Sequence, residues 1–159
     1  MIVSDSSPII MLGKQGRLEL LKKCFNTVLI PKSVYEEVTK KPQTPESISL
    51  EKAIREKWIH VENAAISKVL ETKNIGQAEK EAISLAEERK AKALIDDEVA
   101  KKFASLLKVE AHGTLYAVYL SYLKGIISKE DAKNILKTMI KDGFYISTEV
   151  YARFLELVE

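Results

Sequence analysis

The sequence predicts an α/β fold in which a parallel sheet is covered on both faces by helices. Short β-favouring runs of three or four residues are each followed by a longer helical stretch. This strand-helix unit repeats along the chain, as it does in parallel sheets with crossover helices. The 159 residues, 46% of them apolar, can bury one good core but not comfortably two, so we expect one domain over residues 1–159.

The first two strand-helix units lie within the first 40 residues. Residues 2–4 form a β-favouring run, and the segment Asp-Ser-Ser-Pro at residues 5–8 supplies a helix cap and an early-helix proline directly after it. Residues 28–30 form the second run, and Pro31 begins a helix that reaches about Lys40. Each of these strands is therefore predicted to lead directly into a helix.

The later elements continue the same alternation. Asn74, with Gln77 three residues after it, resembles the capping box of a helix that ends near residue 90. The other predicted elements are a helix over residues 46–57, a strand over 58–61, a strand over 93–95, a helix that ends at residue 107, a short strand around Val109, and closing helices over 115–123, 129–141 and 148–158.

Composition excludes several kinds of site. Cys24 is the only cysteine, so no internal disulfide can form, and with two histidines the chain lacks ligands for a Cys/His zinc site. A metal site must therefore use oxygen ligands. No apolar run approaches the roughly 20 residues of a membrane span, and the N-terminus does not resemble a signal peptide, so we expect a cytoplasmic protein. The net charge of +2 does not by itself indicate a nucleic-acid partner.

Three acids directly follow predicted strands. Asp5 comes after the first strand, and Asp96 and Asp97 come after the strand over residues 93–95. Because open parallel sheets bind ligands at the carboxyl ends of their strands, these side chains are candidates for chemistry. Aspartate is also a preferred helix N-cap, so each could instead cap the helix that follows. Position alone leaves both interpretations open.

Two glutamates lie on the inner faces of predicted helices. At about 100° per residue, Glu37 falls within the apolar stripe of its helix, whereas Glu36 points away. Glu79 falls near the centre of another inner stripe, and Glu81 lies on the opposite side. Each glutamate could be incidental, Glu79 as an acid near a helix N-terminus and Glu37 as an edge residue.

Several carboxylates directed toward the protein interior require a partner, because a buried charge is costly unless it is paired or binds a metal. The sequence offers few cations at matching positions. Oxygen-only sites suit Mg²⁺ or Mn²⁺, and carboxylates around such ions are the usual apparatus of phosphodiester hydrolysis. The acids therefore predict a divalent-metal site.

Four short motifs follow one another along the chain. They are Val3-Ser4-Asp5-Ser6-Ser7, Ile30-Pro31 with the segment from Val34 to Val38, Glu79-Lys80-Glu81-Ala82-Ile83, and Leu94-Ile95-Asp96-Asp97. In this order and spacing they resemble the PIN-domain family. The last third of the chain, with Gly113-Thr114-Leu115 and a helical tail, is similar to a prokaryotic subgroup of that family. One departure is Ala78, which stands where the subgroup commonly has Gly. The resemblance implies a three-layer α/β/α fold with a central parallel sheet and a helical C-terminal tail.

The resemblance also implies a function and a residue set. The implied activity is that of an Mg²⁺- or Mn²⁺-dependent endoribonuclease, a hydrolase that leaves a 5′-phosphate and a 3′-hydroxyl, often the toxin of a type II toxin-antitoxin pair. The implied residues are Asp5, Glu37, Glu79 and Asp97 as the four metal-binding and catalytic acids in order, Ser6 as the hydroxyl that supports the first acid, and Asp96 as an alternative or helper to Asp97.

The resemblance also implies partners, and other functions compete with the nuclease. It implies an RNA substrate and a cognate antitoxin, and homodimers are common among relatives with this fold. The main alternative is a non-catalytic PIN-like module that binds RNA or protein. A phosphoacceptor receiver domain fits less well, because its acidic pair should follow the first strand. Tyr116, Tyr119 and Tyr122 recur at near-helical spacing, which favours core or subunit-interface packing over stacking on RNA bases.

Overall fold

The fold is built on a parallel sheet of five strands, and the computed structural model describes all 159 residues. In chain order the strands are β1 (Ile2–Ser4), β2 (Val28–Pro31), β3 (Ile59–Glu62), β4 (Lys92–Leu94) and β5 (Ala111–His112). Across the sheet their order is β3-β2-β1-β4-β5, and every neighbouring pair is parallel. The predicted parallel sheet is thus confirmed.

Ten helices connect and follow these strands. They are α1 (Ser6–Lys14), α2 (Glu19–Phe25), α3 (Lys32–Val38), α4 (Pro45–Arg55), α5 (Lys68–Glu71), α6 (Gln77–Arg89), α7 (Glu98–Leu106), α8 (Thr114–Leu123), α9 (Lys129–Lys141) and α10 (Thr148–Leu157). None of them is long and apolar enough to span a membrane.

The helices form two layers, one on each face of the sheet. Alternate strand residues point to opposite faces. Ile2 belongs to a core cluster shared with helices α1 to α4 and α8 to α10, whereas Val3 belongs to a second cluster shared with α5, α6 and α7. The helical tail packs into the first cluster, where Phe154 of α10 is 2% exposed. This arrangement confirms the three-layer α/β/α prediction.

The order of the strands reverses between β1 and β4. From β1 the chain moves outward to β2 and β3, and it then crosses back to place β4 on the other side of β1. Ser4 pairs with Leu94 at the ends of the two strands, and the Asp5 amide donates to the Leu94 carbonyl at 2.9 Å. A reversal of this kind leaves a crevice at the carboxyl ends of the strands, where open α/β sheets bind ligands.

A few local features differ from those predicted from the sequence. The predicted capping box at Asn74 and Gln77 is wrong, because Gly76 is the N-cap of α6 and no side chain caps that helix. A capping box occurs instead at Ser128 and Asp131, at the start of α9. The last strand lies two residues after Val109, and helices α2 and α5 were not predicted.

Candidate metal centre

Five carboxylates surround the crevice between β1 and β4. Asp5 directly follows β1, and the pair after β4 is separated from it by Ile95 alone. Glu37 lies on α3, which follows β2, and Glu79 lies in the first turn of α6, which packs against β1, β2 and α3. The fold therefore brings acids from four separate segments of the chain to one edge of the sheet.

Asp5 is the most perturbed of these acids. Asp5 is 8% exposed, and the pKa of its carboxyl group rises from 3.8 to about 7. Burial is the largest cause, and the negative charges of three other acids raise the pKa further, whereas a hydrogen bond from the Ser6 backbone opposes them. The three acids are Glu79, Glu37 and Asp96.

No cation compensates Asp5. None of the ion pairs in the structure includes this carboxylate, and its side chain does not cap α1 although Asp5 occupies the N-cap position. The helix-cap interpretation therefore fails for this acid. A buried carboxylate that lacks a counter-ion, close to other negative charges, is an environment that a bound cation stabilises.

Glu79 and Glu37 lie on the more open side of the crevice. Glu79 is half-buried, and its pKa is raised first by burial, then by the charge of Asp97, and to a smaller extent by that of Glu37. Glu37 itself is exposed, so it lies at the rim and not in the core. The negative charge of Glu37 nevertheless raises the pKa of both Asp5 and Glu79, so Glu37 lies beside the same crevice.

Asp96 is fixed by the start of α8. Its Oδ1 accepts a hydrogen bond from the Thr114 amide at 2.7 Å, and its Oδ2 accepts one from the Thr114 hydroxyl at 2.6 Å. A Cβ placed on Gly113 would lie 2.6 Å from Oδ1, so a side chain at that position would displace the carboxylate. Asp96 therefore has a structural role in addition to any role at the metal.

Asp97 caps the next helix. Its Oδ1 accepts a hydrogen bond from the Ala100 amide at 2.8 Å, in the geometry of an N-cap, and the residue is exposed. The negative charge of Asp97 raises the pKa of Glu79, whereas that of Asp96 raises the pKa of Asp5. The two aspartates after β4 thus face different acids of the crevice, and each of them also holds a helix start.

The sequence matches the family model DUF3368, described as a PIN domain, over residues 1–159. The chain belongs to the PIN-domain family. Members of this family are typically nucleases and generally use divalent metals. Among solved structures, a PilT N-terminus domain protein, SSO1118, from the hyperthermophilic archaeon Sulfolobus solfataricus P2 is similar with a TM-score of 0.48 and 16% identity, over 74% of this chain and 90% of that one. No curated protein matches the sequence.

The donor set of this PIN domain fits a hard divalent cation. All the side chains at the crevice offer oxygen, which is the ligand that Mg²⁺ and Mn²⁺ prefer. The buried hydroxyl of Ser6, next to Asp5, has no hydrogen-bond partner, so it is free to bind a water of the ion. No three His, Cys, Asp or Glu side chains are arranged to hold one ion directly. Such spacing suits Mg²⁺, which keeps several waters and takes one or two carboxylates.

Two residues of the PIN-domain crevice were not predicted as site residues. Gly113 and Thr114 were noted only as part of a subgroup motif, yet together they determine where Asp96 lies. A hydroxyl residue at the first position of a helix is a weak sequence signal by itself. The partner of Thr114 lies 18 residues earlier in the chain, so the contact depends on how β4, β5 and α8 are placed.

Proposed function

We propose that this PIN domain is a divalent-metal-dependent endoribonuclease that hydrolyses phosphodiester bonds in single-stranded RNA. The observation that carries the proposal is the uncompensated Asp5 carboxylate, which is buried at the strand-order reversal and surrounded by like charges. Membership of the PIN-domain family supports nuclease chemistry. The resemblance of the sequence motifs to the prokaryotic toxin-like subgroup supports RNA as the substrate.

We assign the acids of the crevice different roles. Asp5 and Asp97 would hold the ion, and Glu37 and Glu79 would complete the site through waters. A bound Mg²⁺ or Mn²⁺ lowers the pKa of a water molecule and neutralises charge that develops on the scissile phosphate. Asp96 keeps the floor of the crevice in place through Thr114. Glu37 lies at the rim and Glu79 is half-buried, so both carboxylates can accept hydrogen bonds from the attacking water and orient it.

The purified protein is expected to cleave a 5′-labelled single-stranded RNA in Mg²⁺ or Mn²⁺ and to lose this activity in EDTA. The reason is that the acids repel one another and the phosphate when no cation is present. Gel analysis of the products measures the activity, and a 3′-hydroxyl end on the labelled upstream fragments identifies the reaction. RNA binding that is equal with and without metal, with no cleavage, would instead support a non-catalytic binding module.

Matched variants of α3 make this test specific. Glu37→Gln is expected to lower the cleavage rate by about 10- to 100-fold, as loss of a supporting residue at a metal site does. Glu36→Gln on the same helix is the control, because Glu36 is also exposed but is not among the charges that act on Asp5 or Glu79. Equal rates in the two variants contradict the role given to Glu37.

We propose further that the nuclease is the toxin of a type II toxin-antitoxin pair that dimerises and is held inactive by a cognate antitoxin. The support is the resemblance to the toxin-like subgroup. Expression of the wild-type chain without its gene neighbours is expected to arrest bacterial growth, whereas expression of Asp5→Asn is not. Normal growth with a soluble and active wild-type enzyme argues against the toxin role and leaves a stand-alone nuclease.

A further inference from the structure

An aromatic cavity of about 610 Å³ adjoins the acidic crevice. Asp96 is part of its wall, so the cavity and the crevice share one carboxylate. The cavity lies between the starts of α7 and α8 and the segment that precedes α10. Besides Asp96, the residues of the wall that matter here are Lys101, Tyr116, Phe144 and Tyr145.

One wall of the cavity is a braced aromatic ring. Tyr116 stacks on His112 with the ring centroids 4.0 Å apart and the planes inclined by 13°. His112 in turn lies 3.0 Å from the Glu110 carboxylate, which pairs with Lys92. These contacts hold the Tyr116 ring in one orientation, so that it can accept a flat partner without further ordering.

A second aromatic ring at the cavity, that of Tyr145, does not contact any other ring. Tyr145 is 87% exposed, and no contact with another ring or hydrogen bond from its hydroxyl is present. Phe144, its neighbour, packs against the core and anchors the backbone of this segment. An exposed ring on an anchored segment is the arrangement by which proteins stack on unpaired bases.

A single amine lies between the aromatic walls and the acids. Lys101 Nζ lies 3.5 Å from the position that a Cβ on Gly113 would occupy, on the Asp96 side of the cavity. It pairs with Glu98 at 3.3 Å, but the Glu98 side chain is 81% exposed, so this pair is weak. Lys101 can therefore exchange Glu98 for a phosphate that enters the crevice.

From this juxtaposition we propose that the cavity is a nucleotide subsite for the RNA substrate. One unpaired base stacks against Tyr145 and Tyr116, and Lys101 contacts the phosphate that connects this nucleotide to the scissile bond. This inference rests on the proposed nuclease function. A nucleotide fits the site better than an apolar side chain of a protein partner, because the wall carries the Asp96 and Glu98 carboxylates and the Lys101 amine beside its rings.

Cleavage kinetics test the stacking contact. Tyr145→Ala is expected to lower kcat/KM on single-stranded RNA about tenfold, the size of one base-aromatic stack, whereas Tyr145→Phe stays close to wild type. Leu106→Ala is the control, because Leu106 is 65% exposed and lies outside the cavity. An RNA series with an abasic nucleotide at successive positions is expected to show the same loss at one position near the cleaved bond. Tyr145→Ala is expected to be insensitive to that abasic position.

Binding separates this inference from the nuclease proposal. In an Asp5→Asn background, fluorescence anisotropy of a labelled single-stranded RNA is expected to show weaker binding for Tyr145→Ala and Lys101→Ala, and unchanged binding for Lys102→Ala, whose side chain is exposed and outside the cavity. This result supports the subsite even if the wild-type chain cleaves no RNA. RNA binding and cleavage that are unchanged in Tyr145→Ala overturn the subsite, and the cavity is then left to an apolar group of a protein partner.

Discussion

Asp5→Asn is expected to reduce metal-dependent RNA cleavage by a factor of about 100 to 1,000 while the protein stays folded. The substitution removes the charge that we propose holds the cation at the most buried acid of the crevice, and loss of a primary electrostatic contact commonly costs about 10²–10³ in rate. Asparagine fills the same volume, so the buried position keeps its packing. The measurement is the rate of cleavage of single-stranded RNA at saturating Mn²⁺.

The control for Asp5→Asn is Asp142→Asn, which changes an exposed aspartate at the end of α9 by the same chemistry. It is expected to keep wild-type activity. Cleavage by Asp5→Asn at the wild-type rate would contradict the proposed mechanism. The thermal midpoint of the variant shows whether a loss of activity comes from unfolding, and we expect it to equal or exceed that of the wild type in EDTA.

Replacing each of the two aspartates after β4 by asparagine shows which of them binds the ion. Asparagine caps helices about as well as aspartate, so Asp97→Asn keeps the bond from the Ala100 amide and isolates the loss of charge. If Asp97 binds the ion, as its match to the fourth acid of the family implies, Asp97→Asn also abolishes cleavage. If Asp96 is the ligand, Asp96→Asn causes the larger loss.

Most of the architecture could be predicted from local sequence, because most strands and helices carry their own signal. The apolar run of residues 28–30 and the proline after it define β2 and the start of α3 without any knowledge of the rest of the chain. Helix α5 has only four residues, which is too short for a periodic pattern, and so it was missed. The capping box at Asn74 failed because the helix begins two residues later than that pattern requires, with Gly76 as its N-cap.

Part of the candidate site could also be predicted from local sequence. Helical angles separated Glu37 from Glu36, since they need only the position of the apolar stripe, and the charge of Glu37 does act on Asp5. The exposure of Glu37 was not accessible, because it depends on how far the neighbouring helices extend over the crevice. The bonds between Thr114 and Asp96 were also beyond reach, since they join segments that only the folded sheet brings together.

In EDTA, the stability of the wild-type protein is expected to fall as the pH rises from about 4 to 7. In this range the folded protein keeps a proton on Asp5, whose pKa is about 7, whereas the unfolded chain has released it near 3.8. The unfolded state binds fewer protons, so the free energy of unfolding decreases with pH until the full penalty is reached above pH 7. A shift of this size corresponds to roughly 4 kcal/mol. The raised pKa of Glu79 acts in the same direction.

A divalent cation should reverse this penalty, because it favours the charged form of Asp5 and binds only the folded state. At about 100 times its dissociation constant, Mg²⁺ adds about 2.7 kcal/mol, which for a chain of this length raises the thermal midpoint by roughly 5–10 °C. Thermal unfolding at pH 8 with Mg²⁺ and with EDTA measures the effect, and Asp5→Asn is expected to be stable in EDTA and to respond little to Mg²⁺. An equal response of the two proteins would mean that the ion binds without Asp5. In the proposed site, the burial and repulsion that destabilise the metal-free fold are also what favour the cation, so stability in EDTA and metal affinity are expected to change in opposite directions when Asp5 is neutralised.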